Sequence, residues 1–91
     1  MVQKKGRFNG LVVWITGASS GIGEALACRF NEEGARLILS SNEPDELKRV
    51  KARLTNGKVE TMLLSLDLNK PLTIQSRAQK ALDRFGYIDL L

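Results

Sequence analysis

No histidine occurs among the 91 residues of this chain, which removes a Ser-His-Asp triad, a Cys-His pair and any histidine-based metal site. A single cysteine, Cys28, excludes an internal disulfide and agrees with a reducing compartment. Aromatic residues make up only 5%, and Trp14, Phe30 and Phe85 fall in apolar patterns rather than among basic residues. Nucleic-acid binding calls for base-stacking aromatics interleaved with cations, so it is not expected despite a net charge of +4. The basic clusters Lys4, Lys5, Arg7 and Lys48, Arg49, Lys51, Arg53 read as solvated surface. The first ten residues lack the apolar core of a signal peptide, and no apolar run approaches membrane-spanning length. A reducing intracellular location, the cytoplasm, is the expectation.

What is present is ordinary for a small globular chain: 43% hydrophobic and 26% charged residues. Apolar burial on the order of 140 kcal/mol would be nearly cancelled by the ordering of the backbone and side chains. An isolated chain of this size is therefore expected to be poorly stable, and a cooperative melt above ~60 °C would contradict that.

Strand and helix patterns alternate. Leu11-Val12-Val13-Trp14-Ile15 is a continuous apolar run, as in a strand covered on both faces. After a glycine-rich turn, Ile22, Ala25, Leu26 and Phe30 recur at helical spacing, and Gly34 is placed to end that helix. Leu37-Ile38-Leu39 predicts a second strand. Ser41 and Asn42 before Pro44, Asp45 and Glu46 predict a helix start, with Asn42 as a cap. Leu47, Val50 and Leu54 mark that helix's buried stripe, and Asn56-Gly57 stops it. A third strand lies within residues 59–68, and Asn69 to Pro71 turns the chain. Ile74, Ala78, Ala81, Leu82 and Phe85 form a third stripe before Gly86, and residues 88–91 begin a fourth strand. Such alternation predicts an α/β fold, the N-terminal half of a doubly wound parallel (Rossmann) sheet with strand order 3-2-1-4. Residues 1–91 would form one partial dinucleotide-binding domain, interrupted in its fourth strand.

The segment T-G-A-S-S-G-I-G, residues 16–23, joins the first strand to the first helix. A pyrophosphate needs backbone N–H donors and the positive end of a helix, with no bulky side chain in its path. Gly17 permits the sharp turn, Gly21 admits the phosphates, and Gly23 lets the helix pack tightly. Ser19 and Ser20 can add hydroxyl donors. The spacing is neither G-x-G-x-x-G nor a P-loop. A glycine-rich connection without any ligand is the alternative.

T-G-x-x-x-G-I-G after an apolar strand, L-D-L at residues 66–68 and F-G-Y-I-D-L-L at residues 85–91 together resemble the short-chain dehydrogenase/reductase superfamily. V-V-W-I-T-G-A-S-S-G-I-G-E, residues 12–24, resembles in particular its dehydrogenase/reductase member 7 type. The resemblance covers nearly the whole chain. It implies that Gly17, Ser19, Ser20, Gly21, Ile22 and Gly23 hold the phosphates and adjoining ribose of a dinucleotide. It implies that Asp67 accepts a hydrogen bond from the adenine amino group, with Leu68 contributing backbone contacts; a capping or turn role is the alternative for Asp67. Asp89 matches a position that braces the sheet.

Cofactor choice is normally reported at the end of the second strand, where this chain has Ser41 and Asn42. An acid there would repel a 2′-phosphate, and Ser41 does not. The arginine that would grip that phosphate is replaced by Asn42, which cannot make charge-assisted bonds. The balance leans to NADP over NAD, with Glu43 as a nearby counterweight. The family's later N-N-A-G, serine and Y-x-x-x-K are not found: Tyr87 is the only tyrosine, and Leu91 stands four residues on. The chain is thus expected to be the cofactor-binding portion of an oxidoreductase of alcohols and carbonyls, inactive by itself and with weak or undetectable cofactor affinity. The alternative is a truncated, non-catalytic isoform that binds nucleotide weakly, self-associates or pairs with a full-length relative. The resemblance also allows a longer form associated with the endoplasmic reticulum membrane.

Overall fold

The structure is a computed structural model that describes residues 9–66, 69–86 and 88. Its elements are β1 (Val12–Thr16), α1 (Gly21–Glu32), β2 (Arg36–Ser41), α2 (Pro44–Arg53), β3 (Thr61–Ser65) and α3 (Pro71–Phe85). All three strands are parallel, and β2 lies between β1 and β3. This is the predicted 3-2-1 order. The fourth strand expected at residues 88–91 lies outside the described residues apart from Ile88, and so does Tyr87.

Both faces of the sheet are covered, which explains the continuous apolar runs of β1 and β2. On one face Val13, Ile15, Leu37 and Leu39 pack with Ala27 of α1 and with Leu47 and Val50 of α2. On the other, Val12, Trp14, Ile38 and Leu64 pack with Ala81 and Phe85 of α3. Trp14 is buried with its indole N–H donating to Ser40 Oγ at 2.8 Å, so its one polar atom is satisfied inside the sheet.

Helix boundaries follow the expected chemistry. Pro44 and Pro71 stand at the first turns of α2 and α3, where a missing N–H costs nothing, and Asp45 and Glu46 complement the positive end of α2. Asn42, however, is not the cap. The cap position of α2 belongs to Glu43, without a side-chain capping bond, and Ser41 Oγ accepts from Glu43 N at 2.9 Å. The serine hydroxyl, one residue earlier, closes the local turn instead.

The stripe predicted for α1 is displaced. Ala25 is exposed, Leu26 is 45% and Ile22 79% exposed, and Phe30 is half-buried; the buried residues are Gly23, Ala27 and Asn31. These stand four residues apart on one face, and their small side chains allow close approach to the sheet and turn. In α3 the correction is smaller: Ala81 and Phe85 are buried, Ile74 and Ala78 half-buried, and Leu82 largely exposed.

A charged cluster ties α1 to α2. Glu24 accepts from Arg49 through both carboxylate oxygens, at 3.0 and 3.3 Å, and from Arg53; Arg49 also binds Glu46 at 2.8 Å. The Arg49 hydrogen bond, with help from its charge and from Arg53, holds the Glu24 carboxyl below its ordinary pKa, against an opposing effect of desolvation. A carboxylate depressed in the fold stabilises it fully above the unfolded value of about 4.3. That contribution disappears as pH falls through the lower folded value. The urea midpoint of the wild-type chain should therefore drop below about pH 4.3, and Glu24→Gln should flatten that part of the profile. An identical acid limb in the variant would remove Glu24 from the account.

Candidate functional site

The carboxyl ends of the three strands open onto one cleft of about 380 Å³. β1 ends at Thr16 and pairs there with Ser40, and β2 ends at Ser41, opposite Ser65 of β3. The turn leaving β1 begins with Gly17 at φ +65°, a left-handed conformation that favours glycine. Ala18 N then donates to Ser40 O at 3.1 Å, and Leu66 N donates to Ser41 O at 2.9 Å. These two bonds tie β1 and β3 to β2 two residues past the end of β1 and one past the end of β3, and fix the cleft's walls.

Of the predicted residues, Gly17, Ser19, Ser20, Ser41 and Asn42 meet in this cleft. Gly21 and Ile22 do not line it; they lie exposed in the first turn of α1. Gly23 is buried behind the turn. Asp67 and Leu68 lie outside the described residues. The cleft also contains Thr16, Ser40, Glu43, Leu66 and Asn69. Glu43 had been singled out for its charge, and Thr16 and Leu66 as members of the T-G-x-x-x-G-I-G and L-D-L motifs. The usable signal for the others was position alone, since residues at or just past strand ends form the crevice of an open α/β sheet.

The three turn glycines differ in surroundings. A Cβ at Gly23 would stand 2.2 Å from Gly17 O and 3.0 Å from Ala18 Cα, so the tight contact is with the turn's own backbone rather than with the strands. A Cβ at Gly21 would meet nothing within 4 Å. The chain therefore needs the glycine at position 23 for its fold, whereas at position 21 the space is left open.

The serine hydroxyls are already engaged. Ser20 donates both its N–H, at 3.1 Å, and its hydroxyl, at 2.8 Å, to Gly17 O. Its hydroxyl is turned back into the loop, and no side chain caps α1. The N–H groups of that first turn are thus left to solvent or an anion. Ser19 Oγ reaches across to Glu43 Oε1 at 3.3 Å. The expectation of two free hydroxyl donors is therefore corrected: in this state one braces the turn and the other faces a carboxylate.

Parallel strands covered on both faces, a glycine turn from β1 into α1 and a cleft at the strand ends define the doubly wound, Rossmann-type α/β class. A family model described as short chain dehydrogenase matches residues 11–91, and the chain belongs to that family. It is 44% identical over 85 residues to "Dehydrogenase/reductase SDR family member 7" of Mus musculus, covering 89% of this chain and 25% of the relative. A metagenomic short-chain oxidoreductase solved in complex with NADP superposes with a TM-score of 0.86 at 31% identity, over 92% of this chain and 38% of that one. NAD+-bound xylitol dehydrogenase gives the same TM-score at 30% identity, over 92% of this chain and 33% of that one. The chain thus spans about a quarter to two-fifths of these proteins. Among the described residues, no helix is long and apolar enough to cross a membrane.

Proposed function

We propose that this chain is the dinucleotide-binding part of an NAD(P)(H)-dependent oxidoreductase of alcohols and carbonyls, with NADP preferred over NAD. The observation that carries the reading is the pairing of an open Gly21 with a closed Gly23 beside the strand-end cleft. The backbone is pressed together behind the turn and left bare in front of it, as a phosphate-binding loop requires. The cleft's volume lies within the range of ordinary ligand sites, roughly 300–1,000 Å³. Solved relatives that hold NADP and NAD+ support the same assignment.

Gly17 to Ser20 and the first turn of α1 would hold the pyrophosphate through backbone N–H groups, with Gly23 maintaining the turn. Ser41 and Asn42 would face the adenosine ribose, and Asp67 and Leu68 the adenine. A bound nicotinamide dinucleotide supplies the hydride chemistry; this chain's residues bind and orient it. The preference for NADP rests on Ser41, which carries no charge to repel a 2′-phosphate and whose hydroxyl instead accepts from Glu43 N.

Gly21→Asp tests the phosphate assignment. Space around position 21 is open, so the variant should fold, while its carboxylate stands where the phosphates would approach. Dinucleotide affinity should fall by about tenfold or more, read by saturation-transfer NMR, with amide dispersion unchanged. Unchanged affinity in the folded variant would reject the turn as a phosphate site.

A further inference from the structure

We infer that Asn56 is a self-modification site: its side-chain amide cyclises onto the backbone of Gly57 and hydrolyses to aspartate and isoaspartate, loosening the clamp that joins α1 to the connection between α2 and β3. The only co-reactant is water. Gly57 N attacks Asn56 Cγ, the bond from Cγ to Nδ2 breaks, and ammonia leaves with the Gly57 N–H proton, which gives a cyclic imide. Water then opens the imide at either carbonyl. Cleavage at Cγ restores the main chain with aspartate at position 56, and cleavage at the main-chain carbonyl leaves isoaspartate, with the chain running through the side chain. Nothing is oxidised or reduced.

The fold presents both reacting groups. Asn56 Oδ1 accepts from Lys58 N at 3.1 Å, so the side chain curls over the Gly57 peptide and turns Cγ toward the nitrogen that attacks it. The same bond draws electron density from the amide carbonyl and makes Cγ more electrophilic. Gly57 is exposed in a turn, and its N–H has no hydrogen-bond partner among the described residues. The fold does not need a glycine there: Gly57 is not among the glycines at positive φ, and a Cβ would meet nothing within 4 Å. What the missing side chain does is leave the nitrogen open to close approach. Asn31, Asn42 and Asn69 are followed by Glu32, Glu43 and Lys70, whose side chains obstruct that approach. Asn9 precedes Gly10, but that glycine is held at φ +91° and has an interaction of its own.

Conversion acts on the fold through Asn31. Asn56 Nδ2 donates to Asn31 O at 3.3 Å, while Asn56 N and O bond the Asn31 side chain at 2.8 and 3.1 Å. An aspartate keeps the two main-chain bonds but has only acceptors to set against Asn31 O. Isoaspartate adds a methylene to the main chain and displaces Asn56 N and O as well. The Asn31 amide, 1% exposed, then loses its partners in a buried place.

The folded chain and its Gly57→Ala variant are incubated in neutral buffer and in urea. Peptide maps by mass spectrometry with electron-transfer fragmentation separate asparagine, aspartate and isoaspartate at each position. In buffer Asn56 should convert ahead of the other asparagines, with isoaspartate among its products. Gly57→Ala should slow that conversion by about tenfold or more with amide dispersion unchanged. Aged chain, separated by ion exchange, should melt about 5 °C or more below fresh chain, and Asn56→Asp should reproduce part of that loss. Conversion confined to urea would overturn the inference, because the fold would then protect the amide. So would conversion at Asn9 with Asn56 intact, aspartate without isoaspartate, or an unchanged rate in Gly57→Ala. Aged and fresh chains that melt together would overturn the loosening of the clamp.

Discussion

Gly23→Ala should destabilise this chain severely, and Gly21→Ala, two residues earlier in the same helix, should not. The added Cβ at position 23 would lie 2.2 Å from Gly17 O and 2.9 Å from Gly17 C, both backbone atoms that no rotamer change can move aside. Relief requires α1 to retreat or the turn to open by about 1 Å, and overpacking of this kind costs roughly 1–3 kcal/mol or more. Opening the turn also strains the two bonds by which Ser20 holds Gly17 O. At position 21 the methyl meets nothing, and replacing a helical glycine by alanine gains about 0.5–1 kcal/mol of helix stability. Urea unfolding should thus separate the two variants by about 2–4 kcal/mol. Equal midpoints would mean that the turn and helix do not meet as described.

The second large effect is expected at Asn31, which is 1% exposed near the end of α1. Its Nδ2 donates to Asn56 O at 3.1 Å and its Oδ1 accepts from Asn56 N at 2.8 Å, while Asn56 Nδ2 donates to Asn31 O at 3.3 Å. One side chain thus satisfies the backbone of a residue in the connection from α2 to β3. Asn31→Ala would remove the side-chain partners of a donor and an acceptor of the half-buried Asn56, at about 1–3 kcal/mol each where water does not replace them. The melting temperature should fall by about 10 °C or more. Asn56→Ala keeps both bonds between the Asn31 side chain and the backbone, and should lower it less. The reverse ranking would show that the loop, not the clamp, carries the stability.

Much of the fold was legible because burial on both faces writes β1 and β2 as unbroken apolar runs, and because Leu47 and Val50 stand alone among charged neighbours in α2. α1 was misread for a physical reason. Hydrophobic spacing favours large side chains, whereas the face that meets the turn and sheet is made of Gly23, Ala27 and Asn31, chosen for size and hydrogen bonding. Ile22 and Leu26 point outward and supplied a false stripe. Half of the cleft was legible through its glycine turn. Ser40 depends on strand register, which places it beside Thr16, more than twenty positions earlier, and Asn69 on where the chain turns after β3. The clamp between Asn31 and Asn56 is likewise a long-range pairing with no local signature.

The most direct test of the central claim is an NMR titration of the uniformly ¹⁵N-labelled chain with NADPH, mapping amide shifts residue by residue. The account predicts saturable shifts concentrated on residues 17–22 and on Ser41 and Asn42, with a dissociation constant of about 1 mM or weaker for a chain that spans a quarter to two-fifths of its relatives' length. A folded chain whose saturable shifts fall instead on the opposite ends of the strands would contradict it.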